Sequence, residues 1–380
     1  MKKQTSILII LFMVGCFFLW ACNRPVTDRF VLGSSLNIPG EPFNYANPTL
    51  PAFFADSFIA RYNNTPANNP VTNWGATLGR VLFYDADLSL SKTLSCASCH
   101  QQQFGFADTA KFSVGHTGGK THRHSMSLIN AAFYQNGRFF WDERAATLED
   151  QVLQPIQDSI EMGMTLPLMV QRLQAKPYYP ILYRYAFGSN NITPERTAQA
   201  LAQFVRSIIS YRSKYDKARA EVQSRFVDFP QFTAQENAGK AIFMNNLQVN
   251  CGGCHNTDLF ITDRPRNNGS QLTNIDAGIF VHTRNANDLG KFKSPSLKSV
   301  MLRKHFMHNA SLQGIDAVIE HYNLGILPNP NLDDHLVNQT TNLPQIMNLS
   351  ASDIQALKAF LATLTDHALA TDEAFSNPHK

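Results

Sequence analysis

Apolar residues recur at helical spacing in several segments of the chain, and no run of residues alternates as half-buried strands do. One helix is predicted to start at Thr193-Pro194-Glu195, where a capping residue, a proline and an early acid come together. Its apolar stripe follows at the helical period, through Leu201, Phe204, Val205, Ile208 and Ile209. Ser350-Ala-Ser-Asp353 starts a last helix, which carries Leu357, Phe360, Leu361 and Leu364. These patterns predict an all-α fold.

Two parts of the chain repeat the same order of features. In the first part, an amphipathic segment from Trp74 to Tyr84 precedes Cys96-Ala-Ser-Cys99-His100. In the second part, the capping box Thr233-Ala-Gln-Glu236 opens an amphipathic helix, and Cys251-Gly-Gly-Cys254-His255 follows it. This weak internal duplication predicts two domains, over residues 46–228 and 229–370.

The N-terminus has the pattern of an export signal rather than of a fold element. Lys2 and Lys3 precede an apolar run from Ile7 to Trp20. That run is shorter than the roughly 20 residues that a membrane-spanning helix needs. No later stretch is long and apolar enough to span a membrane.

Leu19-Trp20-Ala21-Cys22 partly matches a bacterial lipoprotein processing site. Residues 1–22 are therefore predicted to be a leader, with a lipid on Cys22 as the membrane anchor. An ordinary signal peptide or an uncleaved anchor stays open, and Cys16 ends a weaker second site. Residues 23–45 are rich in Pro, Asn and Gly and are predicted to be a flexible tether.

Composition excludes some classes of protein. With 44% hydrophobic residues in 380, the chain can bury one or two cores and is not a disordered protein. A formal net charge of +4 is too small to indicate nucleic acid as a partner. Six cysteines in a chain of this length do not make a disulfide scaffold.

The four cysteines beyond the leader form two C-x-x-C-H motifs, which are typical of covalent c-type haem. The two thiols bond the two vinyl groups of one porphyrin, and the adjacent histidine reaches the iron. The motifs therefore predict two covalent haem c groups, bound by Cys96, Cys99, Cys251 and Cys254, with His100 and His255 as proximal ligands. A four-cysteine zinc site, redox dithiols and disulfides are the alternatives; zinc would leave both histidines without a role.

With these motifs and the segments around them, the chain resembles the bacterial di-haem cytochrome c peroxidases. That family includes the methylamine-utilisation maturase, which oxidises tryptophans of a partner protein. The resemblance runs from about Trp74 to Asp366 and rests on Leu78–Asp85, Ser113–His116, Phe140–Ala145, Phe292–Leu297 and His321–Asn323. It implies two cytochrome c-like helical domains, each with one haem, and reduction of hydrogen peroxide to water.

The resemblance also implies roles for single residues. Glu161 would be the acid/base and Gln151 would line the same pocket, although each could be an ordinary helix polar group. Trp141 would relay electrons between the haems rather than fill a core. His116 would be a movable distal ligand at the His100 haem, or else an exposed loop histidine.

At the second haem, Tyr322 stands where the well-studied peroxidases have a methionine ligand, as in the maturase branch. Met307 is the alternative ligand. The family's calcium ligands match His124, Arg303 and His305, which makes calcium doubtful. The hypothesis here is that the Arg303 guanidinium replaces the ion's charge.

These features lead to one main expectation and two alternatives. We expect a bacterial periplasmic di-haem peroxidase, anchored by lipid, that takes electrons from a small cytochrome c or copper protein. A maturase oxidising side chains of a protein partner through high-valent haem iron is the first alternative. A non-catalytic electron carrier is the second. The well-studied relatives suggest a homodimer.

Overall fold

Helices form where the capping signals predict them. In the computed structural model, which describes residues 26–245 and 251–380, the Thr193 hydroxyl accepts from the Arg196 amide at a helix start. Ser350 makes the predicted capping box with Asp353. The predicted leader, with Cys16 and Cys22, lies outside the described residues.

The α-helices of the described residues are, in chain order, α1 (Val26–Ser35), α2 (Ser57–Ala60), α3 (Asn73–Tyr84), α4 (Cys96–Cys99), α5 (Leu148–Gln157), α6 (Leu166–Ala175), α7 (Tyr178–Phe187), α8 (Pro194–Ser207), α9 (Lys214–Ala220), α10 (Ala234–Asn245), α11 (Cys251–Cys254), α12 (Phe280–Thr283), α13 (Gly314–Leu324), α14 (Ala351–Thr363) and α15 (His367–Thr371). One antiparallel strand pair joins β1 (His305–Phe306) to β2 (Leu312–Gln313). Short 3₁₀ turns cover Ala52–Ala55, Ala86–Leu88, Gln102–Phe104, Ala286–Asp288, Val300–Leu302, Asp334–Leu336 and Glu373–Phe375. The predicted helix-rich fold is confirmed.

The first core forms where α3 crosses α8 at very close range. A Cβ atom on Gly79 would lie 2.0 Å from the Ala200 carbonyl oxygen, so only glycine allows this approach. Leu78 and Leu82 of α3 are fully buried there against Leu201 and other residues of α8. Leu201, Phe204 and Val205 of the predicted stripe thus form the core face of α8. The helix ends at Ser207, so Ile208 joins this core from just beyond the helix and Ile209 packs in a separate cluster.

The second core repeats this crossing with α10 and α14. A Cβ atom on Gly239 would lie 1.9 Å from the Ala356 carbonyl oxygen. Phe243, Phe360 and Leu361 pack around the contact. The duplication seen in the sequence thus corresponds to a repeated helix crossing. In each repeat the first helix of the crossing, α3 or α10, comes just before a C-x-x-C-H motif in the chain.

The two cores do not follow the predicted limits along the chain. Tyr215 of α9, inside the predicted first domain, packs in the second core. Lys298 and Asp216 form a fully buried ion pair that ties α9 to the second half. At the other end, Leu369 of α15 belongs to the first core. Periodicity shows that a helix has an apolar face but not which core that face joins.

The expected tether differs from the structure over its described part. Residues 26–35 form α1, and Leu32 and Leu36 are buried in the first core. Asp28 is ion-paired with Arg184 of α7 at 2.5 Å. Long-range contacts therefore order a segment whose Pro, Asn and Gly content had indicated a linker.

None of the helices in the described ranges is both long and apolar enough to span a membrane.

Candidate functional site

The first C-x-x-C-H motif presents its histidine with one ring nitrogen fixed. The Nδ1 atom of His100 lies 3.1 Å from the Phe106 carbonyl oxygen, and an oxygen can only accept a hydrogen bond. Nδ1 therefore carries the proton, and Nε2 keeps a lone pair that can bind a metal. Burial lowers the pKa of His100, which keeps the ring neutral.

The second motif has the same geometry. The Nδ1 atom of His255 lies 3.2 Å from the Phe260 carbonyl oxygen, and burial lowers the pKa of His255 to about 4. Phe106 and Phe260 both have left-handed backbones, with φ of 54° and 53°, which turn each carbonyl toward the ring. Two parts of one chain thus prepare a histidine as a metal ligand in the same way.

The four thiols of these motifs are free cysteines, and the two pairs line different cavities. A single four-cysteine zinc site is therefore excluded for these residues. In the described residues, one other cluster could hold a metal: Cys254, Asp333 and His335. Arg266 lies 2.6 Å from Asp333, and its positive charge already occupies the place of a cation.

The first cavity is lined by Cys96, Cys99 and His100 together with Gln151 and Glu161. It contains about 740 Å³ of empty space, part of it open to solvent. Gln151 is held there by α5, whose start is capped by the Thr147 hydroxyl. The predicted acid and amide thus line the same cavity as the predicted proximal histidine.

Glu161 is held by its backbone while its carboxylate stays available. Its amide donates to Asp158 Oδ1 at 3.1 Å, and its carbonyl accepts from the His116 amide. Within the described residues no protein group donates a hydrogen bond to the carboxylate. Burial raises the pKa of Glu161, and the negative charge of Asp158 raises it further. A carboxylate whose pKa is raised by burial is suited to taking up and releasing a proton.

The structure does not bring His116 into the first cavity. Its Nε2 atom lies 3.1 Å from the Ser159 carbonyl oxygen, outside the lining residues, and Val114 and Gly115 line the cavity instead. The ring packs over Gly163, where a Cβ atom would lie 2.3 Å from Nε2. The expected distal position of His116 is therefore not seen, because the loop folds back onto the segment after α5.

The second cavity is larger and lies between the two halves of the chain. It contains about 1550 Å³ of empty space and includes Cys251, Cys254 and His255. The first half contributes part of its wall: Ala107, His124, Met126, Ser127 and Trp141. This cavity therefore depends on how the two halves pack.

Tyr322 and Met307 both line the second cavity, so both predicted axial candidates are in place. Asn268, which sequence reasoning missed, lies between them. Its amide lies 3.0 Å from Met307 Sδ and 3.4 Å from the Tyr322 hydroxyl. Burial raises the pKa of Tyr322 to about 12.

Polar atoms without partners show what the second cavity lacks. Among the described residues, four buried side-chain nitrogens of its wall have no hydrogen-bond partner: Arg266 Nε, Arg303 Nε, His305 Nδ1 and His308 Nε2. The Arg303 guanidinium has no carboxylate partner in the described residues, and burial lowers its pKa to about 10. Such donors bind anionic groups, and the two carboxylates of a haem are groups of this kind. The residues present therefore fit haem.

Trp141 is part of the wall that the first half contributes to the second cavity. Its indole nitrogen donates to the His124 carbonyl oxygen at 2.7 Å, and its own carbonyl accepts from the Lys293 amide at 2.8 Å. Its ring lies 6.4 Å from the His308 ring, centroid to centroid. Both halves of the chain thus fix the orientation of the indole.

Comparison with known proteins agrees with this architecture. Residues 74–224 match the family model of the di-haem cytochrome c peroxidases. The chain is 31% identical to the methylamine utilization protein MauG of Methylophilus methylotrophus over 306 residues, which are 80% of this chain and 86% of that protein. The chain belongs to the di-haem cytochrome c peroxidase family. The resemblance expected from the motifs is confirmed.

Other members of the family give the same result. The cytochrome c551 peroxidase of Pseudomonas aeruginosa is 30% identical over 254 residues, which cover 64% of this chain and 70% of that enzyme. The chain matches the crystal structure of a MauG-like protein associated with microbial copper homeostasis with a TM-score of 0.70 and 29% identity. The matched region covers 82% of this chain and 95% of that one. Because the chain is similar both to MauG proteins and to cytochrome c peroxidases, only the residues of the site can distinguish the two activities.

Proposed function

We propose that this chain is a periplasmic di-haem cytochrome c peroxidase. Cys96 and Cys99 would bond one haem c, with His100 as its proximal ligand, and Cys251, Cys254 and His255 would hold the other. Bound haem supplies the redox-active iron, and the protein supplies proton transfer, access and electron entry. The observation that carries the proposal is the available carboxylate of Glu161 in the open cavity that His100 also lines.

Glu161 would move the proton that peroxide cleavage requires. Hydrogen peroxide accepts two electrons and two protons and gives two molecules of water. The Glu161 carboxylate takes a proton from the incoming peroxide oxygen and returns it to the oxygen that leaves. The Gln151 amide, on the same wall, would orient the peroxide by a hydrogen bond.

Electrons would enter at the second cavity and reach the first by way of Trp141. This indole belongs to the first half of the chain but lines the second cavity, so it lies on the route between the two. A small cytochrome c or copper protein is the proposed donor. A non-catalytic carrier would not need Glu161 and Gln151 around an open position.

A maturase is the second candidate, and two observations favour it. Tyr322 lines the second cavity where the well-studied peroxidases have a methionine ligand. His116 lies outside the first cavity, so no movement of His116 is needed before peroxide enters. In this case side chains of a protein partner would supply the electrons.

Stopped-flow optical spectroscopy of the oxidised holoprotein with hydrogen peroxide tests these candidates. A fast spectral change without prior reduction, followed by oxidation of a protein partner, supports the maturase. Turnover only with a reduced small donor protein supports the peroxidase. No reaction with peroxide in either the oxidised or the half-reduced protein would support the third alternative, a non-catalytic electron carrier.

Calcium is not proposed as part of this site. The Arg303 guanidinium donates to the carbonyl oxygens of Ser296 and Lys298 at 2.6 and 2.7 Å. This guanidinium would therefore be a fixed positive charge in the region where the family binds calcium. His124 and His305 are the residues that match the family's other calcium ligands. Export, a lipid on Cys22 and a homodimer are proposed on the sequence pattern and the relatives.

A further inference from the structure

A second redox group is suggested by a buried tyrosine that the proposed mechanism does not use. Tyr134 is only 2% exposed, and its hydroxyl donates a short hydrogen bond to the carboxylate of Glu143, which is 7% exposed. The Asn136 amide lies 3.3 Å from the same carboxylate oxygen. Neither Tyr134 nor Glu143 lines either cavity.

Glu143 occupies a backbone position that favours glycine. Its φ is 57°, in the left-handed region, where a side chain with a Cβ atom is strained. A buried acid held in such a conformation is uncommon, and such outliers cluster at functional sites. The Arg138 side chain fixes this turn by donating to the Glu143 carbonyl oxygen at 2.8 Å.

Two other buried tyrosines bonded to carboxylates show what is special about this pair. Tyr179 donates to Asp85 at 2.6 Å, but Lys176 neutralises that carboxylate at 2.9 Å. Tyr215 donates to Asp258 at 2.5 Å, but Arg219 is paired with it at 3.2 Å. In the described parts of the chain, no cation lies within ion-pair distance of the Glu143 carboxylate. Unlike Asp85 and Asp258, the Glu143 carboxylate therefore accepts from its tyrosine without an ion-paired cation beside it.

Lys293 connects this pair to the second cavity. Its Nζ lies 4.0 Å from the centre of the Tyr134 ring and donates to the Arg138 carbonyl oxygen at 2.8 Å. Its backbone amide donates to Trp141, and the residue itself lines the second cavity. Burial lowers the pKa of Lys293 to about 7, so near neutral pH part of the population has no positive charge opposing oxidation of the ring.

We propose that Tyr134 is a redox-active tyrosine that gives up an electron by way of Trp141 while Glu143 takes its proton. This inference rests on the proposed function, which supplies hydrogen peroxide as the oxidant. The phenol loses one electron and one proton; the electron goes toward the peroxide, and the proton stays on the Glu143 carboxylate. The second electron that peroxide needs would come from haem iron, which the donor protein would afterwards reduce again. A further donor electron and the proton on Glu143 then restore the phenol.

Rapid freeze-quench electron paramagnetic resonance of the donor-free holoprotein mixed with hydrogen peroxide tests the inference. We expect a tyrosyl radical whose hyperfine pattern narrows when the protein contains ring-deuterated tyrosine. Tyr134→Phe should reduce this signal at least tenfold. Tyr179→Phe and Tyr215→Phe are matched controls, since each removes a buried tyrosine bonded to an ion-paired carboxylate, and both should keep the signal.

Glu143→Gln separates proton transfer from a structural role and serves as a second variant if Tyr134→Phe does not fold. The glutamine carbonyl still accepts the Tyr134 hydrogen bond but cannot hold its proton, so the signal should fall at least tenfold with an unchanged haem spectrum. A signal that persists in Tyr134→Phe, or in Glu143→Gln, would overturn the inference. So would peroxide consumption by the wild type without any tyrosyl signal. If the wild type consumes no peroxide even with a reduced donor, the proposed function itself fails and the inference with it.

Discussion

At the scale of single residues, the surroundings of a side chain decide its chemistry more than its type does. Glu149 and Glu161 lie close together in the chain, yet Glu149 is bound by Arg206, which lowers its pKa. Glu161 has no such partner, and burial raises its pKa. One carboxylate therefore stabilises the fold while the other is suited to proton transfer.

Glu161→Gln should lower the rate of peroxide turnover by about 10²–10⁴-fold, as expected for loss of a general acid/base. The wild-type rate should fall as pH decreases through the Glu161 pKa, which burial places above the ordinary value of 4.5, because the protonated acid cannot take a proton from peroxide. Steady-state rates from pH 4 to 8 measure this limb. Glu195→Gln, which changes an exposed acid at a helix start, is the control. An acid limb that persists in Glu161→Gln would contradict the assignment.

Tyr322→Phe should change the optical spectrum of the second haem and raise its reduction potential by about 0.1 V or more, since axial ligands set haem potentials over roughly 0.8 V. Potentiometric titration with optical detection measures both. Met307→Leu removes the competing ligand from the same cavity and should leave the spectrum unchanged. The opposite pattern in the two variants would make Met307 the ligand.

At the scale of elements, two helix crossings have the same design. Gly79 in α3 and Gly239 in α10 each lie against a carbonyl oxygen of the partner helix, at a distance that no Cβ atom could tolerate. Each crossing precedes a short helix that carries a C-x-x-C-H motif. The duplication therefore preserves the geometry that places the cysteines against a core.

Gly79→Ala and Gly239→Ala should each destabilise the holoprotein by about 1–3 kcal/mol or more, because the helices must move apart to admit a methyl group. Gly33→Ala in α1 is the matched control: nothing lies within 4 Å of its added Cβ atom. This substitution should be neutral or stabilise by about 0.5–1 kcal/mol, since alanine favours helix. Chemical denaturation of the three variants measures the difference. Full stability of Gly79→Ala would show that the crossing adjusts without cost.

At the scale of the whole molecule, α1 and the C-terminal segment pack together over the first core. Backbone contacts that include Lys380 and Leu36 join the C-terminal segment to the end of α1. Arg80, which is 1% exposed, donates to the Ser376 carbonyl oxygen at 2.7 Å, and Tyr84 donates to Phe375 at 2.6 Å. Residues 375–380 therefore pack on the first core through α1 and α3.

Removal of residues 373–380 should lower the midpoint of thermal unfolding. It leaves the buried Arg80 donor without its acceptor, at a cost of about 1–3 kcal/mol, and removes the acceptor of the half-buried Tyr84 hydroxyl. Ser376→Ala keeps the carbonyl that Arg80 uses and should behave as the wild type. Calorimetry of the two holoproteins distinguishes them. A truncated protein as stable as the wild type would show that the end is dispensable.

The contact between the halves also leads to a prediction about metal content. Because the buried Arg303 guanidinium lines the same cavity as His124 and His305, the purified holoprotein should contain much less than one calcium per chain. Treatment with a calcium chelator should leave the optical spectrum and peroxide turnover unchanged. Elemental analysis before and after chelation measures this. Stoichiometric calcium, lost together with activity, would show that the guanidinium does not replace the ion.

The features of this protein that depend on local interactions could be predicted from the sequence. The caps at Thr193 and Ser350, the stripe of α8 and the C-x-x-C-H spacing involve neighbours within a few residues. These features need only the backbone geometry of a helix or a short loop.

Only the tertiary structure decided the features that depend on distant contacts. α1 replaces the expected tether because α7 and the C-terminal residues pack against it, and His116 turns away because its loop bonds to the Glu161 backbone. The approach of Lys293 to the Tyr134 ring and the position of Asn268 between Met307 and Tyr322 likewise join segments far apart in sequence. A side chain's charge, hydrogen bonding and access follow from all the groups around it, and local sequence specifies few of them.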